Sequence, residues 1–277
     1  MTAAMKRTRL GALSAVVLCA WAALVGCAGQ PVPTPNTQQY YVMIFDDAAP
    51  VTDAAFNACF DNERIPDART LPGFVSAQRF QLNTPQMYPG VTVALPRYLA
   101  LYQIATNDLT ATMAQLQRTA GTTGAGTCPG VNRTTADVYA YRFSAPRQDR
   151  TAPDQNVPAG GTRTNYVHIV FTVPRQAAKD QFEHWYLTSH IPQLLTRPGF
   201  TSAQRVAIAQ AHGAVPPTDT AAVFRLSLPT TMSVAADTQL PPPGAPPNEA
   251  GRMLDPTQNR GYTYRAIGPV ISASPAQ

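Results

Sequence analysis

Lysine is almost missing from this chain: of 277 residues only Lys6 and Lys179 carry it, and charged residues of all kinds make up 13%. The arginines are scattered, and no basic run with interleaved aromatics occurs, so the electrostatic footprint that nucleic-acid binding requires is absent. No glycine-rich phosphate loop precedes a helical stretch and no G-x-S-x-G nucleophile elbow occurs, which removes two common designs for nucleotide binding and serine hydrolysis. Histidine is scarce, at positions 168, 184, 190 and 212. Together with Glu183 these histidines match no standard ligand spacing, and no metal is expected. The apolar run at residues 10–25 is short for a membrane span.

What is present at the start is a signal for export. Lys6, Arg7 and Arg9 precede that apolar run, which ends in small residues. Leu24-Val25-Gly26-Cys27 resembles the lipobox of bacterial lipoproteins, in which cleavage before the cysteine frees its thiol to take a diacylglycerol. The resemblance implies a signal peptide at 1–26, lipidation at Cys27, a proline-bearing tether at 27–37, and a membrane partner held through lipid rather than spanned. An ordinary secretory signal cut nearby is the plain alternative. In a Gram-negative cell, Ala28 after the cysteine resembles the signal for the outer membrane, facing the periplasm. Loss of the signal takes the formal net charge from +5 to about +2. Export leads to an oxidising compartment, where Cys59 and Cys128 are a candidate disulfide whose formation depends on their distance in the fold.

Comparison of the chain with itself reveals its organisation. Pro72-Gly73-Phe74-Val75-Ser76-Ala77-Gln78-Arg79 recurs as Pro198-Gly199-Phe200-Thr201-Ser202-Ala203-Gln204-Arg205, identical at seven of eight positions. At the same offset Ile65-Pro66 matches Ile191-Pro192, and Phe56 matches Phe182. With one gap, Tyr41-Val42-Met43-Ile44 matches Tyr166-Val167-His168-Ile169, and Tyr139-Ala140-Tyr141-Arg142 matches Tyr262-Thr263-Tyr264-Arg265. Collinear matches of this kind indicate a tandem duplication.

Both copies parse alike. Residues 40–46 and 165–173 are β-branched and aromatic runs, hence strands. Residues 53–70 and 175–197 follow with apolar side chains at helical spacing. Pro-Gly pairs at 72 and 198 stop those helices, and second strands start at Phe74 and Phe200. Third strands at 97–105 and 221–228, a helix at 108–118, a weaker one at 231–240, and fourth strands at 138–143 and 262–267 complete the order β-α-β-β-α-β of the ferredoxin-like unit. The expected fold is α+β: tandem ferredoxin-like units at 38–144 and 165–271, packed as an intramolecular pseudo-dimer. A linker at 145–164 joins them, residues 240–261 form a proline-rich insertion, and 272–277 are a tail.

Trp185-Tyr186-x-x-x-His190-Ile191-Pro192-x-Leu194-Leu195-x-x-Pro198-Gly199-Phe200 resembles the helix-to-strand signature of EthD-like members of the dimeric α+β barrel superfamily. Val167-His168-Ile169-Val170-Phe171 is similar to the first strand of monooxygenase-like barrels there. The resemblance implies that the two units close a barrel and bind a small apolar molecule. It covers cofactor-free monooxygenases, isomerases, polyketide cyclases and haem enzymes, so it specifies no reaction. No cofactor is expected, and the resemblance leaves a haem on one histidine open.

All four histidines lie in the second copy, where the aligned first copy has Met43, Ala58 and Arg64 opposite the first three. His190 is the preferred catalytic candidate, since an imidazole near a bound phenol, enol or acid exchanges protons at neutral pH; its plainer role is to cap the helix. His168 either faces the cavity and partners His190 or is a core or barrel-seam histidine. His184 falls on another helical face and is expected to be exposed. Trp185, Tyr186 and Tyr264 are candidate ligand-binding residues or packing residues. Tyr141 repeats Tyr264 and Arg79 repeats Arg205, which favours structural roles for these pairs. Two functions remain: a membrane-anchored enzyme doing proton-transfer or oxygenase-type chemistry on a small apolar molecule at a second-unit histidine, and a non-catalytic binding or structural envelope lipoprotein.

Overall fold

Tyr41, Met43 and Phe45 point to one face of strand β1 (Gln38–Asp46), Val42 and Ile44 to the other, and all five are buried. A strand apolar on both faces needs cover on both. The computed structural model describes residues 37–47, 53–87, 96–122, 128, 137–212, 218–237, 252–255 and 259–273. The signal peptide, Cys27 and nearly all of the tether lie outside the described residues, as does most of the insertion at 240–261.

The first unit continues with α1 (residues 53–68), β2 (Phe74–Leu82), β3 (Tyr98–Thr106), α2 (Leu109–Thr122) and β4 (Asp137–Phe143). A two-residue strand β5 (Gln148–Asp149) leads into the second unit: β6 (Arg163–Thr172), α3 (residues 176–195), β7 (Phe200–His212), β8 (Thr220–Pro229), α4 (Val234–Asp237) and β9 (Arg260–Ala266). A last short strand, β10 (Ile271–Ser272), follows. The fold is α+β, with β-α-β-β-α-β read twice. Its strands pair antiparallel in the ring β2-β3-β1-β4-β7-β8-β6-β9, and β9 pairs back with β2 through Phe80↔Ala266 and Leu82↔Tyr264, closing a barrel.

The barrel interior is a packed aromatic core. Phe45 meets Tyr264 across the two units with ring centroids 6.0 Å apart, and Tyr141 meets Phe171 at 6.1 Å, spacings at which tilted rings attract. The Tyr141 hydroxyl donates to the Thr218 carbonyl at 2.9 Å and the Tyr264 hydroxyl to the Pro96 carbonyl at 3.0 Å, so each phenol reaches from one unit to the other. Burial holds both phenols well above the usual range. On the outside, Phe56, Phe60 and Ile65 of α1 cover the first sheet, while Phe182, Tyr186 and Ile191 of α3 cover the second. Cys59 on α1 is disulfide-bonded to Cys128.

The strand register revises one sequence match. Arg79 stands opposite Ala100 and Ile44 opposite Ala100, just as Arg205 stands opposite Ala222 and Val170 opposite Ala222. Ile44 therefore corresponds to Val170, and the counterpart of His168 is Val42, not Met43. The gapped alignment was one residue out. In a strand that error exchanges the two faces, and a strand apolar on both faces gives no pattern to prevent it.

After its fourth strand each unit crosses to the other. Gln148 and Asp149 of β5 pair with Ala203 and Ser202 of β7, and Ile271 and Ser272 of β10 pair with Ala77 and Ser76 of β2. The linker at 145–164 is thus laid along the second unit as a strap. Its Arg150 guanidinium donates to the carbonyls of Arg197 at 2.7 Å, Phe200 at 3.3 Å and Thr196 at 3.3 Å, all beyond the end of α3, where unpaired carbonyls gather.

Gly73 and Gly199, after the helix-stopping prolines, have φ of +78° and +79°. A Cβ on Gly73 would sit 1.9 Å from the Ala105 carbonyl oxygen, whereas one on Gly199 would meet the Leu228 side chain at 2.4 Å. Both substitutions carry the left-handed penalty of about 1–2 kcal/mol. Only a side chain can swing aside, so Gly73→Ala is expected to destabilise by about 3 kcal/mol or more and Gly199→Ala by clearly less, measured by urea unfolding.

Candidate functional site

Proline has no N–H to donate, so Pro66 and Pro192 each leave a carbonyl one turn earlier without its helical partner. In both helices the preceding turn widens into a π-turn, Phe60–Arg64 in α1 and Tyr186–His190 in α3. The Ile65 N–H bonds the Phe60 carbonyl, and the Ile191 N–H bonds the Tyr186 carbonyl. Such turns inside α-helices are frequent at functional sites. His190 is the last residue of the wide turn in α3, at a kink rather than at a helix end.

His190 is half-buried and stacks on Trp185, with centroids 4.8 Å apart and planes 25° apart; Tyr186 lies 4.8 Å away on a tilted plane. The guanidinium of Arg205, from β7, lies 4.6 Å from the Tyr186 ring, and the residue is 1% exposed. Glu183 holds it from α3, with Nε donating to Oε2 at 3.0 Å and Nη2 to Oε1 at 2.5 Å, while Nη2 also donates to Thr220 Oγ1 at 3.0 Å. Nη1 is buried without an acceptor among the described residues. Burial, then repulsion from Arg197 and Arg205, lowers the His190 imidazole from 6.5 to about 4, so it is neutral at neutral pH.

The first unit has the same buried arginine with different partners. Arg79 Nη1 donates to Asp61 Oδ1 at 3.0 Å and to the Asn57 carbonyl at 3.3 Å, and Nη2 donates to Asn57 Oδ1 at 2.6 Å. Both terminal nitrogens are engaged, and Arg64 stands where His190 stands in the second unit. A buried donor without an acceptor is costly, which makes the difference between the two arginines chemically meaningful.

His168 lies on the helix side of the sheet, the same side as His190, while its strand neighbours Val167, Ile169 and Phe171 fill the barrel. Its Nδ1 is 2.8 Å from Thr263 Oγ1, its ring is 6.3 Å from that of Phe224, and burial lowers it to about 3. The first unit reaches this point too. Thr263 N donates to Gln86 Oε1 at 2.8 Å, Gln86 Nε2 donates back to the Thr263 carbonyl at 3.0 Å, and Met87 is buried in the second unit's helix–sheet core. Trp185 and Tyr186 sit beside His190, whereas Tyr264 is in the barrel core with its hydroxyl committed to Pro96. His184 is exposed, and His212 ends β7. Sequence reasoning weighed Glu183 only as a metal ligand and missed Gln86. The repetition of Arg79 and Arg205 favoured a structural role for both, since nothing in the spacing shows which of their donors are satisfied.

Among the described residues no group of histidine, cysteine or acidic side chains could hold a metal ion, and no helix is long and apolar enough to cross a membrane. No family model and no curated protein sequence matches the chain. Among solved structures it is similar to an anthrone oxidase-like protein, at 14% identity and a TM-score of 0.54 over 87% of this chain and 96% of that one. It is also similar to a monooxygenase candidate from Fusobacterium nucleatum, at 7% identity and a TM-score of 0.50 over 88% and 98% of the two chains. The fold is that of the dimeric α+β barrels. In this barrel one chain supplies both units.

A buried neutral histidine that protonates readily once unfolded ties stability to pH. With His168 at about 3 in the folded state against an ordinary value of 6.5, its contribution is complete above pH 6.5 and is lost as pH falls from there towards 3. The loss is at most about 1.4 kcal/mol per pH unit for that one group. His168→Val, which installs the first unit's residue, is expected to flatten the fall in unfolding free energy between pH 6 and pH 4, as followed by urea titrations at each pH.

Proposed function

We propose that this chain is an exported lipoprotein, anchored by lipid on Cys27, whose second unit binds a small apolar molecule between α3 and the sheet and moves a proton on it at His190. The observation that carries the reading is the pairing of a neutral imidazole with a buried arginine whose Nη1 has no acceptor, found in the second unit alone. A phenol, enol or activated C–H bound there gives its proton to His190. The oxyanion that results accepts a hydrogen bond from Arg205 Nη1, and Trp185 and Tyr186 flank the imidazole. His168 keeps a supporting place, holding Thr263 on the same side of the sheet.

The reading is cofactor-free. A haem needs an open slot beside its axial nitrogen, and His168, 2% exposed and against Phe224, does not suit one. A carbanion or enolate formed at His190 either takes its proton back at another carbon or reacts with dioxygen. The names of the structural neighbours, an anthrone oxidase-like protein and a monooxygenase candidate, fit the second course.

With anthrone as probe and oxygen uptake as readout, His190→Ala is expected to lower turnover at least about 100-fold, the usual worth of a positioned general base, with the circular dichroism spectrum unchanged. The wild-type rate should stay level from neutrality downwards and fall through about pH 4, not 6.5, because the imidazole must be neutral to accept the proton. Turnover that survives in the variant removes the reading. Replacing Cys27 with serine should move the protein from the membrane fraction to the soluble one; retention in the membrane would count against the lipid anchor.

A second reading has its own support. The barrel interior is filled with rings, and both cross-barrel phenols are bonded to backbone, as in a module built for rigidity. A non-catalytic binding or envelope-structural role would show as no oxygen uptake and no co-purified small molecule in native mass spectrometry of wild type or His190→Ala.

A further inference from the structure

The strap and the end of α3 line a half-open cavity of about 410 Å³, and none of its lining residues belongs to the proposed active site. That volume lies within the range of small-molecule sites. Apolar parts of its wall come from Ala152, Pro153, Pro192 and Leu195, and its polar side chains include Gln148, Thr151, Gln155 and Asn156.

The wall is built firmly. β5 pairs with β7, Arg150 ties the strap to three carbonyls at the end of α3, and Asp154 Oδ2 accepts from the Gly199 N–H at 2.6 Å while also pairing with Arg150 at 3.2 Å. Val157, three residues past Asp154, is buried in the second unit's core.

The available chemistry narrows the occupant. The guanidinium of Arg150 is consumed by those carbonyls and by Asp154, so no uncommitted cation faces the space to receive a phosphate or carboxylate. No aromatic side chain lines it, so there is no platform for a flat ring. Asp149, its one other charged lining residue, pairs with Arg147. Gln148 Nε2 donates to the Leu187 carbonyl at 3.0 Å and Thr196 Oγ1 to the Gln193 carbonyl at 2.7 Å, which leaves the carboxamides of Gln155 and Asn156 and the Thr151 hydroxyl, each both donor and acceptor, above proline and leucine carbon.

We propose that this cavity is a binding site for a neutral, hydroxyl-rich ligand, a short saccharide, with Gln155 and Asn156 as its principal hydrogen-bonding side chains. Vicinal hydroxyls pair with the carboxamides, and the C–H face of the sugar ring rests on Pro153 and Pro192. A ligand held there would be recognised independently of the chemistry at His190.

The test is isothermal titration of the purified full chain with maltose, cellobiose and N,N′-diacetylchitobiose in turn, with inorganic phosphate and indole as counter-probes. Saturable binding of at least one saccharide is expected, with a Kd of about 1 mM and at least about tenfold weaker in the Gln155→Ala/Asn156→Ala double variant. The thermal midpoint of the double variant and the saccharide affinity of His190→Ala should match wild type. The proposal is overturned if none of the three saccharides saturates below about 50 mM, if the double variant binds as wild type does, or if phosphate or indole saturates in their place.

Discussion

An open antiparallel sheet ends in two rows of unpaired N–H and C=O groups, which invite pairing with another chain. Here the first unit's β2 and β4 meet the second unit's β9 and β7, so each open edge finds its complement and the barrel closes. The rest of the structure depends on that closure. It creates a dry interior in which Phe45, Tyr264, Tyr141 and Phe171 can pack, and it leaves each unit's outer face to be covered by its own helix. It also explains why two units in one chain are useful, because covalent linkage makes the pairing partner present at high effective concentration.

Closure of a near-symmetric barrel leaves two similar layers between helix and sheet, and their differences are where function can reside. Both layers bury an arginine under a π-turn. In the first, Asn57 and Asp61 occupy both terminal nitrogens of Arg79, and Arg64 adds a second cation. In the second, Glu183 binds Arg205 along one edge, and a neutral imidazole replaces the cation. The terminal nitrogens of Arg79 are both engaged, whereas Nη1 of Arg205 has no acceptor among the described residues. The first unit still serves the second directly, through Gln86 on Thr263 and through Met87 in its core.

Much of the fold was legible from local chemistry. The Pro-Gly stops, the alternation of Tyr139 to Phe143 and the helical spacing of Phe182, Trp185 and Tyr186 reflect constraints acting within a few residues, and those survive in any context. That the helix is disturbed at His190 was legible for the same reason, because Pro192 disrupts only the turn before it, but whether as an end or a kink was decided by the fold. The partners of Arg205 were not legible, since Glu183 lies 22 positions away and reaches it only after α3 folds back over β7.

By itself the sequence determined the β-α-β-β-α-β order, its repetition and the asymmetric placement of histidine. Only the tertiary structure decided the register that aligns His168 with Val42, the face on which His168 lies, the satisfaction of Arg79 against the open donor of Arg205, and the course of the strap that walls the cavity beside α3. The reason is the same in each case. Periodicity and punctuation are properties of neighbours along the chain, whereas register, hydrogen-bond satisfaction and enclosed volume are properties of segments that meet only when the barrel has closed.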